Sequence, residues 1–255
     1  MSAVLITGGS EGIGLELAKC YAADGAHLIL AARDPVRLFE ARNELQNQYH
    51  TRVDTVQADL SEPGSAKKLY DSVRDKNVDI LVNNAGSGYT GYSWKIDSES
   101  EEKMVQLNDA SLMTLCKLFA ADFIEKGSGT IVNVASTGAF QSGPYIAGYY
   151  ASKAFVLSYT KALREEMKPY GIHVVCLCPG PVDTHFYAKS GGRKPRMIMS
   201  AEKTAAIAYK GIRENKKVIV PGFLNRMALV LPETVRTGFV RRSKLKNLKA
   251  KEKKK

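Results

Sequence analysis

Residues Val4–Gly14, reading Val-Leu-Ile-Thr-Gly-Gly-Ser-Glu-Gly-Ile-Gly, constrain the chain more than any other stretch. A short apolar run ends in Thr7, three glycines follow at G-x3-G-x-G spacing (Gly8, Gly12, Gly14), and a helical pattern opens at Leu15. A tight strand-to-helix turn needs positive φ, and a pyrophosphate can lie on backbone only where no Cβ stands in the way. A helix beginning near Gly12 then aims its unpaired N–H groups and positive dipole end at the anion. A glycine turn alone would be an ordinary loop; the strand before it and the helix after it supply the context of a dinucleotide site.

The rest of the chain agrees with one α/β domain. It has 255 residues, 44% apolar and 25% charged, enough to bury a full core and too apolar for disorder. No apolar run reaches the length of a membrane-spanning helix, and the first strand starts so early that no signal peptide is expected. The expected compartment is the cytoplasm, with Cys20, Cys116, Cys176 and Cys178 as reduced core thiols. Neither these cysteines nor the four scattered histidines has a metal-ligand spacing, so no metal site is expected. The formal net charge is +11, but residues 241–255 hold nine Lys/Arg and one Glu, leaving only +3 on the other 240.

Strand patterns alternate with helical ones, which predicts a doubly wound parallel sheet of about seven strands with helices on both faces. Strands are predicted at Ala26–Ala31, Arg52–Gln57, Asp79–Val82, Thr130–Ala135, Ile172–Cys178 and Val218–Val220. Asp34-Pro35 is a good N-cap and first-turn pair for the helix that runs to about Gln48. Further helices are predicted over 63–75, 100–125, 147–168 and from the Ser200 cap to Glu214. The carboxyl ends of the strands carry Gly8–Gly14, Arg33, Asp59, Asn83–Gly86, Ser136 and Pro179–Thr184, and in such a sheet they converge on one crevice.

Tyr149 and Lys153 stand at i and i+4 and share a helix face. A nearby cation favours an ionised phenol, which would tune Tyr149 as a general acid. An amphipathic surface pair is the plain alternative. With the glycine turn, Asn83-Asn84-Ala85-Gly86, Ser136 and Pro179-Gly180-Pro181-Val182-Asp183-Thr184, however, residues 3–222 resemble a classical short-chain dehydrogenase/reductase. The resemblance implies a single-domain Rossmann fold and a catalytic set of Asn108, Ser136, Tyr149 and Lys153. Ser136 would hydrogen-bond the substrate oxygen, and Asn108 would hold a water that relays protons to Lys153. Tyr150, three residues before Lys153, competes with Tyr149, and the family's x3 spacing favours Tyr149. Ala135 and Ala139 stand where relatives often carry Ser and Gly, without removing a reacting group.

The same resemblance assigns cofactor contacts to Gly8, Ser10, Gly12, Ile13, Gly14, Asp59, Leu60, Asn84, Ala85, Gly86, Pro179, Gly180, Val182 and Thr184, together with Tyr149 and Lys153. Where NAD enzymes place an acidic residue, the chain has Ala32 followed by Arg33, which suits the 2′-phosphate of NADP. Glu11 stands against this, occupying a position often basic in NADP-binding relatives, and Arg37 one helical turn on is its candidate compensator.

The stretch 184–200 reads as a substrate flap in which Phe186, Tyr187, Met197, Ile198 and Met199 alternate with Arg193, Lys194 and Arg196. An apolar cover with basic residues suits a lipophilic or acyl-linked ketone. Residues 223–255 form an apolar and basic extension that reads either as a peripheral contact with an anionic membrane surface or as a solvated terminus. In both readings it stands apart from the active site, and no specific nucleic-acid partner is expected. The resemblance implies a bacterial-type NADPH-dependent reductase related to 3-ketoacyl and 3-keto-sphingoid reductases, acting on a small-molecule ketone or alcohol that the likeness does not identify, and assembled as a homo-oligomer, a dimer or tetramer. The rival reading is a protein on the same fold that binds NADP without turnover.

Overall fold

The computed structural model describes residues 2–191 and 198–252. Its centre is a seven-stranded parallel sheet of β1 (Ala3–Thr7), β2 (His27–Ala32), β3 (Val53–Gln57), β4 (Val78–Asn83), β5 (Thr130–Val134), β6 (His173–Leu177) and a short edge strand, Val218–Ile219. The spatial order is β3-β2-β1-β4-β5-β6-edge. Strand order reverses beside β1, which pairs with β2 on one side and β4 on the other. A crevice at the carboxyl ends of the strands follows from that reversal.

Alternation along the strands builds two cores. Leu5, Ile29 and Ala31 face one side of the sheet with Phe119, Phe123 and Leu163. Val4, Ile6, Leu28 and Leu30 face the other with Leu17, Leu38 and Ala208. The first layer is covered by α3 (Ser65–Val73), α5 (Ser111–Lys126) and α6 (Ala147–Met167), the second by α1 (Gly12–Ala23), α2 (Pro35–Tyr49) and α8 (Ala201–Arg213). Cys116, Cys176 and Cys178 are buried free thiols of the first layer. The predicted caps form: Asp34 Oδ1 accepts from the N–H groups of Val36 and Arg37 (3.0 and 3.2 Å), and Ser200 Oγ accepts from Lys203 N (3.2 Å).

Two segments differ from the sequence expectation. The helix expected over 100–125 is broken: α4 (Ser98–Val105) passes through a π-turn, Gln106–Ala110, before α5. Such turns are rare and concentrate at functional sites, and this one carries Asn108. The apolar-basic extension is helical and folded back, as α9 (Phe223–Val230) and α10 (Glu233–Glu252). Glu233 accepts from Ser142 N and Oγ (both 3.1 Å), Arg236 donates to Gln141 Oε1 (2.9 Å), and Thr237 Oγ1 donates to Ser142 O (3.4 Å). No helix among the described residues is long and apolar enough to cross a membrane.

Candidate active site

A cleft of about 550 Å³ opens at the carboxyl ends of the strands, within the usual range for ligand sites. Of the expected cofactor residues, Gly8, Ser10, Gly12, Ile13, Arg33, Asp59, Leu60, Asn84, Ala85 and Gly86 line it from β1 to β4. Pro179, Gly180, Val182 and Thr184 line it from beyond β6, as do Tyr149 and Lys153 of α6. Gly14 does not line it. A Cβ there would sit 2.3 Å from Gly8 O and 2.5 Å from Asn84 Nδ2, so this glycine lets α1 pack against the end of β1. Gly8 itself has φ +64°, the turn that the sequence demanded.

The loop after β4 is braced to that turn. Thr7 Oγ1 accepts from the N–H groups of Asn84 (3.0 Å) and Ala85 (3.1 Å), while Asn84 Nδ2 donates to Thr7 O (3.0 Å) and Gly8 O (3.1 Å). Glu11, the residue before α1, does not cap the helix with its side chain, so the first-turn N–H groups face the cleft as an anion site. Glu11 is instead ion-paired with Arg37 and approached by His185 Nδ1 at 3.1 Å on the same oxygen. Arg33 is exposed on the cleft rim, and among the described residues its guanidinium has no hydrogen-bond or ion-pair partner. Burial works to raise the Asp59 carboxyl, but hydrogen bonds from Ser61 and the charge of Arg33 hold it below the usual value. The bare glycine turn, open helix end and unpaired Arg33 fit a phosphorylated dinucleotide.

At the other end of the cleft, Ser136 follows β5 and its Oγ accepts from Gly138 N (3.0 Å), which leaves the hydroxyl proton free to donate. Ser136 also faces the Tyr149 phenol and favours its ionised form, but burial outweighs it and pushes the phenol pKa well up. The expected lowering by Lys153 does not appear in the protein alone, for two physical reasons. Lys153 Nζ donates to Val134 O (2.9 Å) and lies 5.8 Å from the centre of the Tyr149 ring. Burial also pulls Lys153 down to about 8, against the pull of Asp109.

The two adjacent tyrosines differ. The Tyr149 ring rests on Gly88, where a Cβ would come within 2.6 Å of Cδ2, and meets Phe186 of α7 (Phe186–Lys189) at 5.3 Å. Tyr150 is wedged between Gly138 and Gly143, at 3.0 and 2.4 Å from the Cβ each lacks. Asn108 does not line the cleft. It is buried, with Oδ1 accepting from Ser87 N (2.9 Å) and Nδ2 donating to Ser87 O (2.9 Å) and Ser152 Oγ (3.0 Å). Gly86 nevertheless places Asn108 Oδ1 and Lys153 Nζ against one point, 3.2 and 3.3 Å from its missing Cβ.

Three features in or beside the cleft escaped the sequence. Asp109, beside Asn108, is buried enough to be pushed up to about 6, the charge of Lys153 opposing this, and among the described residues its Oδ1 has no hydrogen-bond partner. Gly88 was one more glycine in a loop. Lys244 of α10 lines the cleft, which corrects the reading of the extension as remote from the site. From the flap, Phe186 and Tyr187 line the cleft, and Met199 joins a two-residue strand paired with Val182–Asp183. Arg193, Lys194, Arg196 and Met197 lie outside the described residues. Among the described residues no cluster of His, Cys, Asp and Glu could hold a metal ion.

Comparison with known proteins agrees with this geometry. Residues 2–194 match the family model described as short chain dehydrogenase. A ketoacyl reductase named for the granaticin polyketide synthase of Streptomyces violaceoruber is 38% identical over 184 residues, 71% of this chain and 67% of that protein. A very-long-chain 3-oxoacyl-CoA reductase of Phaeosphaeria nodorum is 31% identical over 208 residues, 78% of this chain and 59% of that longer protein. Among solved structures, a short-chain dehydrogenase from Sphingobium yanoikuyae in complex with NADPH superposes with a TM-score of 0.85 at 31% identity, covering 94% of this chain and 95% of that one. With its parallel sheet, glycine turn and strand-end crevice, the chain belongs to the short-chain dehydrogenase family of oxidoreductases.

Proposed function

We propose that the chain is an NADPH-dependent carbonyl reductase that converts a lipophilic or acyl-linked ketone to its alcohol. The observation that carries this reading is Tyr149, half-buried on the cleft wall with its phenol facing Ser136 and with Lys153 on the same helix face. The ketoacyl and oxoacyl-CoA reductases among the relatives favour the substrate class, and the NADPH-bound neighbour favours the cofactor.

When bound, NADPH supplies the hydride that reduces the carbonyl carbon. The protein's own part is to hold the ketone oxygen and give it a proton. Ser136 donates a hydrogen bond to that oxygen as negative charge builds on it. Burial keeps Tyr149 protonated at neutral pH, the form that gives a proton to a carbonyl oxygen rather than taking one from an alcohol. Lys153 and Ser136 stabilise the phenolate that remains. Asn108, facing Lys153 across Gly86, serves the return of a proton to Lys153 through water. The glycine turn and the N-terminus of α1 receive the pyrophosphate, and Arg33 with Ser10 receives the 2′-phosphate. Incubation with NADPH and a 3-ketoacyl thioester, followed by mass spectrometry, should yield the 3-hydroxy product. Recovery of unchanged thioester and NADPH would support the rival reading of a binder without turnover.

The same proposal places the enzyme in the cytoplasm as a homo-oligomer with a peripheral membrane contact. In α9 and early α10, Phe223, Leu224, Met227, Val230, Val235 and Phe239 are exposed, beside the basic residues of 241–249. Each cation near an anionic bilayer contributes about 1 kcal/mol, to which apolar burial adds. Phosphatidylserine vesicles at low salt should retain the protein and release the double variant Phe239→Ser, Arg242→Ser; equal sedimentation of both would remove the membrane contact from the account.

A further inference from the structure

The face of α10 turned toward the body holds a cation that the proposed reaction does not use. At about 100° per residue, Thr237, Val240, Lys244 and Leu248 fall on one side of the helix and Val235, Phe239, Arg242 and Lys246 on the other. The first four are half-buried and the second four exposed. The helix is anchored at its start on Gln141 and Ser142. Near its end the charge of Glu252 reaches Tyr92, whose ring packs edge-on against Tyr145 at 5.6 Å. It therefore spans the loop leading into α6 and Tyr149. Lys244, midway along, lines the cleft, and the helix carrying it is anchored on Ser142, next to the Gly143 that packs on the Tyr150 ring.

Lys244 has no hydrogen-bond or ion-pair partner among the described residues, and burial pulls its pKa down. A half-buried ammonium without a partner is costly. The carboxylates lining the cleft, Glu11, Asp34 and Asp59, stand at the opposite end beside Arg37 and Arg33. Tyr150 and Tyr187 facing this end are raised by burial, Tyr187 to about 12, and stay neutral. Of the two lysines at the aromatic end of the described cleft, Lys153 beside Tyr149 donates to Val134 O, whereas the charge of Lys244 is unanswered.

We propose that Lys244 is an anion-recognising residue of the substrate site, and that the favoured ketone carries a carboxylate or phosphate remote from its carbonyl. This rests on the reductase reading above. The test compares 4-acetylbenzoate, 4-acetylphenyl phosphate and neutral methyl 4-acetylbenzoate as ketones with NADPH. The wild type should favour the anionic ketones in kcat/KM, the better of the two identifying the head group. Lys244→Met should lower the anion-to-ester ratio about 10- to 100-fold, the worth of one charge-assisted contact, and Lys244→Arg should recover most of it. An equal effect of Lys244→Met on all three ketones, or no anion preference in the wild type, would overturn the assignment. Should the wild type reduce none of them, the reductase reading fails for these ketones, and calorimetric titration of 4-acetylbenzoate into the NADPH-loaded protein then decides Lys244 separately. Binding lost in Lys244→Met supports the assignment, and equal binding refutes it.

Discussion

Arg37 of α2 neutralises Glu11 at the head of α1, and His185 closes on the same carboxylate oxygen from beyond β6. This pairing answers the objection that Glu11 raises against a 2′-phosphate. The carboxylate is engaged with Arg37, while Arg33 next to Ala32 keeps an unpaired guanidinium on the cleft rim. Arg33→Ala should therefore weaken NADPH about 10- to 100-fold in fluorescence titration and barely change NADH. Arg37→Ala, which removes the guanidinium paired with Glu11, should also weaken NADPH selectively. Equal losses for both cofactors would contradict this division of labour.

Gly88 fixes the plane of the Tyr149 ring, because a Cβ would press to 2.6 Å from it. Overpacking of this kind costs about 1–3 kcal/mol or displaces the ring. Gly88→Ala is expected to lower kcat more than tenfold while leaving the Kd for NADPH within a factor of about three, equivalent to 0.7 kcal/mol. An unchanged kcat would show that the ring has room to spare.

The pH profile follows from Lys153. Burial lowers it to about 8, so the side chain is cationic below that pH and neutral above it. If its charge stabilises the Tyr149 phenolate, kcat/KM for ketone reduction falls as pH rises through about 8. Asp109 opposes the lowering, so Asp109→Asn should move this alkaline limb to lower pH. Stability has the opposite sign: between about 8 and the ordinary lysine value of 10.5 the unfolded chain binds more protons, so the Lys153 contribution rises with pH. A limb that stays in place in Asp109→Asn would separate the two groups.

How far the sequence could be read depended on whether a feature was local. The apolar strand runs, the Asp34 and Ser200 caps and the glycine turn are set by neighbours within a few residues, and they stand within a residue or two of their expected places. The π-turn at Asn108 was hidden, since the switch to i→i+5 hydrogen bonds over Gln106–Ala110 has no residue-type signature that a helical pattern reading detects. The direction of the Tyr149 pKa was unreadable for another reason: i,i+4 spacing shows that Lys153 is near, but not that burial outweighs its charge. Lys244 was the least legible. Its place in the cleft depends on α10 meeting Ser142, 102 residues away in sequence, through contacts that no local pattern encodes.

The central claim is that Tyr149 gives the proton, while Tyr150, wedged between Gly138 and Gly143, shapes the wall. Its most direct measurement is the loss of NADPH absorbance during ketone turnover by wild type, Tyr149→Phe and Tyr150→Phe, with NADPH binding checked in each. The account predicts that all three bind NADPH, that Tyr149→Phe loses about 10²- to 10⁴-fold in kcat, the range for a general acid, and that Tyr150→Phe keeps turnover within about tenfold. Near-normal turnover by Tyr149→Phe, or collapse in Tyr150→Phe alone, would contradict it.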